Sequence, residues 1–455
     1  LVAGVKKWGN GNCTAVVCET TINAPETDIL AQLEREQPNL IGISTYIWNI
    51  TYVKNILPKI KQLLPNAKIL LGGPEVSYNP AEVFETVPQV DYIICGEGEK
   101  PVAELLNFLS CNFDEKIEPQ PLQYPKIGGE TATTQADQTD LTHGDQIALV
   151  LPCLATRNCD FSAVVPNTPS EIPPTPYCDE YFKALKNRIV YLETSRGCPY
   201  SCAFCLSGRC GNARFYPIER AKAEMIMLAQ SGTQTVKLVD RTFNCNKTRA
   251  YELWQFIVQN YGKIIPSGVC FHFEIAGDIL DDASIKLLQT APCGSIQLEI
   301  GMQSFHEPTL AAINRKTNTK KLKENIRALL CNKNIHVHID LIAGLPLETF
   351  DIFKDSFNTG YKIGANMLQM GFLKLLHGAP LEQTAEENGI AYSKTPPYEI
   401  LENKWLSAEE MAKLHKIEDA LERFCNSGRF SYTLQYLESV CISDRNSSPF
   451  DFFLG

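Results

Sequence analysis

The sequence predicts an α/β protein made of two successive sets of alternating strands and helices, followed by a helical C-terminal segment. Two observations predict this fold class. Short apolar runs alternate with amphipathic stretches over residues 1–110 and again over 188–378, which is typical of parallel sheets with right-handed crossovers. The alternation then stops, and residues 379–455 contain mainly helical patterns, with Ser407 as the N-cap of one helix. A length of 455 residues is enough for two or more domains.

The first set predicts a doubly wound, Rossmann-like domain over residues 1–110. Strands are expected at 14–18, 39–45, 67–73 and 91–95, with helices at 28–36, 50–64 and 99–108. Such sheets bind ligands beyond the carboxyl ends of their strands. Polar and glycine-rich residues follow three of these strands, although any one of the glycines could be an ordinary turn residue. They are Ser44, Thr45, Tyr46 and Trp48; Gly72, Gly73, Pro74 and Glu75; and Gly96, Glu97, Gly98 and Glu99.

Residues 111–187 lack a regular hydrophobic period and are predicted to form an irregular linker. One strand is expected at 147–151, and five prolines fall within residues 166–176. Three cysteines also lie here, Cys153, Cys159 and Cys178, but their spacing matches no metal-binding motif. Free thiols are therefore expected at these positions.

The second set predicts a partial (β/α)6 barrel of the TIM type over residues 188–378. Its six strands are expected at 189–194, 235–240, 269–275, 295–300, 335–342 and 367–373. Functional groups of such barrels lie at the carboxyl ends of the strands. The polar residues expected there are Asp240, Glu274, Glu299, Gln303 and Asp340. His336 and His338 share one face of their strand, where a metal pair is one interpretation. Packed or hydrogen-bonded barrel histidines without a functional role are the favoured interpretation.

A cysteine triplet follows the first barrel strand. Cys198, Cys202 and Cys205 have the spacing C-x3-C-x2-C. A [4Fe–4S] cluster normally has four cysteine ligands, so three would leave one iron open to a further ligand. A zinc site with Cys210 as the fourth ligand is the alternative, but structural zinc sites usually have two separated cysteine pairs. The spacing favours the cluster.

Residues 196–205, Arg-Gly-Cys-Pro-Tyr-Ser-Cys-Ala-Phe-Cys, resemble the cluster loop of the radical S-adenosylmethionine (SAM) superfamily. The resemblance implies that the open iron binds the amino and carboxylate groups of SAM. An electron from the cluster then cleaves SAM to a 5′-deoxyadenosyl radical. It also implies SAM contacts at Phe204, Asp240, Glu274, Glu299, Gln303 and Gly344. The catalytic side chains stay unassigned. The superfamily's Gly-Gly-Glu motif is replaced here by Val-Asp-Arg at 239–241.

The strand ends of the first domain resemble those of the cobalamin-binding domain in B12-dependent radical SAM enzymes. The resemblance implies that the twelve strand-end residues from Ser44 to Glu99 contact cobalamin. Many such domains supply a histidine to cobalt, whereas the first histidine of this chain is His143, so the lower axial ligand stays open. Residues 403–406 and 426–430 resemble a C-terminal helical extension in an uncharacterised subgroup of these enzymes.

The leading hypothesis is a cobalamin-dependent radical SAM methyltransferase that acts on an unactivated carbon of a small-molecule or peptide substrate. An external donor of the flavodoxin or ferredoxin type would supply electrons. A radical rearrangement or cyclisation with the same cofactors is one alternative, and a non-catalytic iron–sulfur or cobalamin-binding protein is another. A methylthiotransferase is disfavoured, because Cys13, Cys18 and Cys95 do not have the spacing of that family's second cluster.

Composition narrows the class of partner and the compartment. A net charge of −10 disfavours nucleic acid as a partner. No apolar run has the length of a transmembrane helix. Seventeen cysteines without a recognisable secretory signal suggest the reducing cytoplasm.

Overall fold

The structure, a computed structural model, describes residues 1–112, 151–157, 159–167, 171–185, 188–443 and 448–454. The chain forms two compact units, Leu1–Pro176 and Tyr177–Gly455. The strand expected at 147–151 lies outside the described residues except for position 151. No helix in the described ranges combines the length and the apolar character needed to cross a bilayer.

The first unit contains a four-stranded sheet whose strands follow chain order. Strands β1 (Leu40–Ser44), β2 (Lys68–Gly72) and β3 (Tyr92–Ile94) are parallel, and β4 (Leu154–Ala155) is antiparallel to β3. The sequence pattern missed β4, which comes from the predicted linker. Its helices are α1 (Val2–Trp8), α2 (Glu26–Glu36), α3 (Ile50–Leu63), α4 (Pro74–Ser77), α5 (Pro80–Thr86) and α6 (Glu99–Asn112).

Helices cover both faces of this sheet, as the doubly wound pattern predicted. Ile69, Leu71 and Ile93 face one core with α2, α3 and α5, whereas Leu70 and Tyr92 face a second core with α1 and α6. Burial on both faces explains why these strands are continuously apolar in sequence. The strand expected at 14–18 does not form. Its β-branched residues Val16 and Val17 are 59% and 68% exposed, and strand propensity without a pairing partner is not sufficient.

The second unit contains the six predicted barrel strands, all parallel. In chain order they are β5 (Val190–Leu192), β8 (Thr235–Leu238), β9 (Cys270–Ile275), β10 (Ile296–Gln303), β11 (His336–Ala343) and β12 (Met367–Phe372). They are neighbours in the sheet in that same order. Two short antiparallel pairs join β6 (Ser195–Arg196) to β7 (Arg214–Phe215) and β13 (Ala391–Tyr392) to β14 (Ile400–Glu402).

Helices pack against one face of the barrel sheet. They are α7 (Asp179–Ala184), α8 (Ile218–Ala229), α9 (Lys247–Asn260), α10 (Asp282–Gln289), α11 (Glu307–Ala312), α12 (Thr319–Leu330) and α13 (Phe350–Ile363). Alternate strand residues such as Phe273, Leu298 and Ile339 are fully buried in the core beneath them. The residues between them, including Glu274 and Glu299, therefore lie on the opposite face of the sheet.

The C-terminal segment is mainly helical, as predicted. Helix α14 (Ala408–Ala420) begins at Ser407, which forms a capping box with Glu410, and continues as a π-helix over Leu421–Asn426. The helices α15 (Ser431–Leu437) and α16 (Pro449–Leu454) follow. The helix expected at 381–388 is instead a short 3-10 helix, Pro380–Thr384.

Candidate functional site

The cysteine loop is closed at its base by the β6–β7 pair. Ser195 and Arg196 pair with Phe215 and Arg214, so the chain between them forms one hairpin loop that carries the cysteine triplet. Gly197 begins this loop with φ +92°, and a Cβ atom there would lie 2.9 Å from the carbonyl oxygen of Asn212. The loop therefore requires glycine at this position.

Asp240 anchors the junction between β5 and the cysteine loop. Its carboxylate accepts hydrogen bonds from the Thr194 amide (2.9 Å), the Thr194 hydroxyl (2.7 Å) and the Ser195 hydroxyl (2.5 Å). The side chain is buried, which raises its pKa to about 6. The structure thus places Asp240 away from the cavity, where its oxygens hold the loop rather than a ligand.

The three cysteines line one open cavity. A polar group lies near each sulfur: the Ser207 amide donates to Cys205 Sγ (3.4 Å), the Arg315 guanidinium donates to Cys202 Sγ (3.7 Å), and the Thr242 hydroxyl lies 3.5 Å from Cys198 Sγ. Hydrogen bonds to thiolate sulfurs are a regular feature of iron–sulfur sites. All three cysteines are free thiols, so the residues present fit a cluster.

Among the described residues, no three His, Cys, Asp or Glu side chains converge as ligands of a single metal ion. The cysteines of an iron–sulfur cluster bind different iron atoms and need no such convergence. A shared cavity wall therefore suits the cluster that the sequence predicts.

Four of the six residues predicted to contact SAM line this same cavity, namely Phe204, Glu274, Glu299 and Gln303. Gln303 ends β10 with φ +69°, and its Oε1 is buried without a hydrogen-bond partner in the part of the chain that the structure describes. An orphaned buried acceptor is costly unless a ligand satisfies it, so this atom fits a bound donor. The cavity thus offers an acceptor that no described residue uses.

Gly344, the other predicted SAM contact besides Asp240, does not line the cavity. Its φ is +89°, and a Cβ atom there would lie 2.3 Å from Ile400 Cδ1 of β14. The Asn403 side-chain amide donates to its carbonyl oxygen at 2.8 Å. In the structure this glycine permits close packing of the C-terminal segment.

The carboxylates of the cavity differ in their surroundings. Glu299 lies 2.9 Å from His272 Nε2 and 3.2 Å from Lys237 Nζ. The close contact with His272, with help from Lys237, lowers the pKa of Glu299 to about 2. Glu274 lies 3.8 Å from Arg241, yet burial raises its pKa. Glu299 is therefore a fixed anion, while Glu274 is the more readily protonated group.

Sequence reasoning missed several charged residues of the cavity. Arg241, Asp278, Arg315 and Lys316 line it, together with Asp340, which the strand-end pattern had identified. Arg315 and Lys316 belong to a basic run that resembles an exposed helix start. The sequence could have indicated Arg241, because it directly follows Asp240 at the carboxyl end of a predicted strand.

In the first unit, the predicted strand-end residues do meet at one edge of the sheet. The Thr45 amide and hydroxyl both donate to the Gly72 carbonyl oxygen, at 2.7 and 2.8 Å. The Ser77 hydroxyl bridges the Gly73 carbonyl and the Gly96 amide. Gly73 has φ +104°, and a Cβ atom there would lie 2.4 Å from the Thr45 carbonyl oxygen, so these loops touch backbone to backbone.

The same edge carries an exposed aromatic pair. Tyr46 and Trp48 stack with ring centroids 4.4 Å apart, and they are 37% and 64% exposed. A flat apolar surface of this kind suits a large planar ligand such as a corrin. The loop after β3, which contains Gly96 to Glu99, is more enclosed. The Asn167 amide donates to the Cys95 carbonyl, and the Glu97 amide donates to the Asn167 carbonyl.

Three family models match the chain. Residues 14–106 match "B12 binding domain", residues 192–359 match "Radical SAM superfamily", and residues 386–455 match "Protein of unknown function (DUF4080)". The first two confirm the kinds of domain that the sequence motifs predicted.

The chain is also similar to characterised proteins. It is 26% identical to the "Cobalamin-dependent radical SAM methyltransferase TokK" of Streptomyces tokunonensis. It is 23% identical to the "2-(S-pantetheinyl)-carbapenam-3-carboxylate methyltransferase" of Streptantibioticus cattleyicolor. Each match covers 89% of this chain, but the chain spans only 57% of the length of either relative.

Two solved structures share the fold. One is the radical SAM methyltransferase TsrM from Kitasatospora setae with cobalamin and [4Fe–4S] cluster bound, with a TM-score of 0.59 and 17% identity over 82% of this chain and 73% of that chain. The other is the cobalamin-dependent SAM radical enzyme OxsB, with a TM-score of 0.64 and 15% identity over 91% and 65%.

Proposed function

We propose that this chain, in which a B12-binding domain precedes a radical SAM domain, is a cobalamin-dependent radical SAM methyltransferase. One observation carries the proposal. The cysteine triplet and four predicted SAM contacts, which come from three separate segments of the chain (the cysteine loop, β9 and β10), line a single cavity. The names of the two curated relatives reported above support methyl transfer as the reaction.

The second unit would hold the iron–sulfur cluster and SAM. Cys198, Cys202 and Cys205 would bind three irons, and the Gln303 amide oxygen would accept a hydrogen bond from SAM. When bound, the reduced cluster with SAM supplies a 5′-deoxyadenosyl radical, and cobalamin supplies the methyl group. Glu274 and Glu299 would contact SAM from the wall of the same cavity.

The first unit would hold cobalamin against the strand-end loops. Support comes from the contacts between the Thr45, Gly73 and Gly96 segments and from the exposed Tyr46–Trp48 stack. The backbone contacts fix the loops before ligand arrives, so little conformational entropy would be lost on binding. A small-molecule or peptide substrate, an electron donor of the flavodoxin or ferredoxin type and a cytoplasmic location complete the proposal.

SAM cleavage by anaerobically reconstituted protein tests the proposal. Protein loaded with hydroxocobalamin receives SAM and a strong reductant, and 5′-deoxyadenosine and methylcobalamin are followed by chromatography. We expect both products, with deoxyadenosine lost in Cys202→Ala and retained in Cys293→Ala, which changes an exposed cysteine.

The two products separate the alternatives. Deoxyadenosine without methylcobalamin would favour a radical rearrangement or cyclisation. Neither product, from protein with full iron content, would contradict the enzyme and favour a binding protein.

A further inference from the structure

The segment that follows helix α11 forms hydrogen bonds with consecutive residues of the cysteine loop. The Ile313 carbonyl accepts from the Ala203 amide at 2.9 Å. The Asn314 side-chain amide donates to the Ser201 carbonyl (3.0 Å) and hydroxyl (2.6 Å). Cys202 lies between these two residues of the loop, and its Sγ accepts a hydrogen bond from Nη1 of Arg315 at 3.7 Å. Residues 313–315 therefore contact residues 201–203 at three consecutive positions.

Cys202 is the most buried of the three cysteines. It is 8% exposed, whereas Cys198 and Cys205 are partly exposed. A thiolate taken out of water needs a compensating charge or donor. The Arg315 guanidinium supplies such a donor to Cys202 Sγ.

The guanidinium is directed at the sulfur and at the end of strand β10. Its Nη2 donates to the Gly301 carbonyl, two residues before Gln303. Its Nε is buried without a hydrogen-bond partner among the described residues. Two other basic groups of this region face carboxylates instead, Arg241 at the cavity wall facing Glu274 and Lys237 facing Glu299. Lys316 also lines the cavity, but its side chain is exposed. Arg315 is thus the cation held against a cluster-ligand sulfur.

We propose that Arg315 is a positioning residue that fixes Cys202 Sγ and makes the bound cluster easier to reduce. Reduction adds one electron to the cluster and so adds negative charge. A guanidinium at a ligand sulfur stabilises that charge, and hydrogen bonds to sulfur and local charge both set cluster potentials. The inference rests on the proposed function, since it requires a cluster on the three cysteines.

Potentiometric titration of the anaerobically reconstituted full-length chain, followed by electron paramagnetic resonance, tests this role. Arg315→Met removes the positive charge but keeps a side chain of similar length. Arg315→Lys keeps the positive charge but lacks the two guanidinium nitrogens that donate to Cys202 Sγ and to the Gly301 carbonyl. Lys320→Met removes an exposed cation that does not line the cavity and serves as the matched control. For Arg315→Met we expect about a tenfold lower ratio of reduced to oxidised cluster at a fixed potential, which corresponds to about 59 mV for one electron. Arg315→Lys should lie between Met and wild type, and Lys320→Met should stay close to wild type.

An unchanged ratio in Arg315→Met, or an equal shift in Lys320→Met, would overturn the proposal. If the Arg315→Met protein does not retain iron, the iron content of Arg315→Lys tests the proposal instead. Iron retained by Arg315→Lys would support the role of the positive charge, whereas loss of iron from this variant too would contradict that role. Absence of a cluster from the wild-type chain would refute the proposed function instead, so the two failures are distinguishable.

Discussion

Glu348 is a fully buried carboxyl group in the loop after strand β11. Its Oε1 accepts hydrogen bonds from the hydroxyls of Ser304, just past β10, and of Ser356 in α13. Its Oε2 has no partner among the described residues. Burial raises the pKa of Glu348 to about 7 from an ordinary value of 4.5. At neutral pH this group is therefore only partly ionised. Its hydrogen bonds connect the loop after β11 with the end of β10 and with helix α13.

Glu348→Gln should make stability less dependent on pH. Because the folded chain holds the Glu348 proton more tightly than the unfolded chain, its contribution is full below about pH 4.5 and is lost as pH rises through about 7. Wild type should lose unfolding free energy between pH 5.5 and pH 8, and the glutamine variant should lose less. Urea unfolding at both pH values measures this, with the exposed Glu387→Gln as control. Parallel pH profiles for wild type and Glu348→Gln would contradict the assignment.

At the scale of the element, the cysteine loop depends on one backbone conformation. Gly197 and Gly232 both have positive φ, but only Gly197 has a neighbour that a Cβ atom would strike. Gly197→Ala should therefore cost more than Gly232→Ala, which has the unfavourable φ alone, a strain of about 1–3 kcal/mol. The expected result is a lower iron content per chain and a lower melting temperature for Gly197→Ala. Equal effects of the two substitutions would show that the Asn212 contact is unimportant.

Strand patterns predicted the barrel well, because alternate residues of strands such as β9, β10 and β11 are apolar and pack beneath the helices. They failed at residues 14–18, where apolar residues lie exposed, and at β4, whose two residues are too few to give a period. Among site residues, the cysteine triplet was predictable from spacing. Arg315 was not, because its contact with Cys202 joins positions 113 residues apart. Asp240 stood at the predicted strand end, but only the structure showed that its oxygens bind the loop.

At the scale of the molecule, the proposal needs cobalamin on the first unit as well as iron on the second. Trp48 lies exposed and stacked on Tyr46 at the proposed cobalamin edge. Trp48→Ala should weaken cobalamin retention about two- to tenfold, since aromatic stacking contributes about 0.5–1.5 kcal/mol. Equilibrium dialysis against hydroxocobalamin measures it, with Tyr432→Ala, another exposed aromatic, as control. Iron content should be unchanged in both variants, and equal cobalamin affinity in wild type and Trp48→Ala would refute the proposed contact.

The most direct test of the central claim, that one chain carries both cofactors, is the metal content of a single sample. The full-length chain is reconstituted anaerobically with iron, sulfide and hydroxocobalamin, desalted, and analysed for iron and cobalt by mass spectrometry. We predict about four irons and about one cobalt per chain, with iron lost and cobalt kept in Cys202→Ala. Iron without retained cobalt would contradict the cobalamin-dependent account and leave a radical SAM enzyme whose first unit does not bind cobalamin.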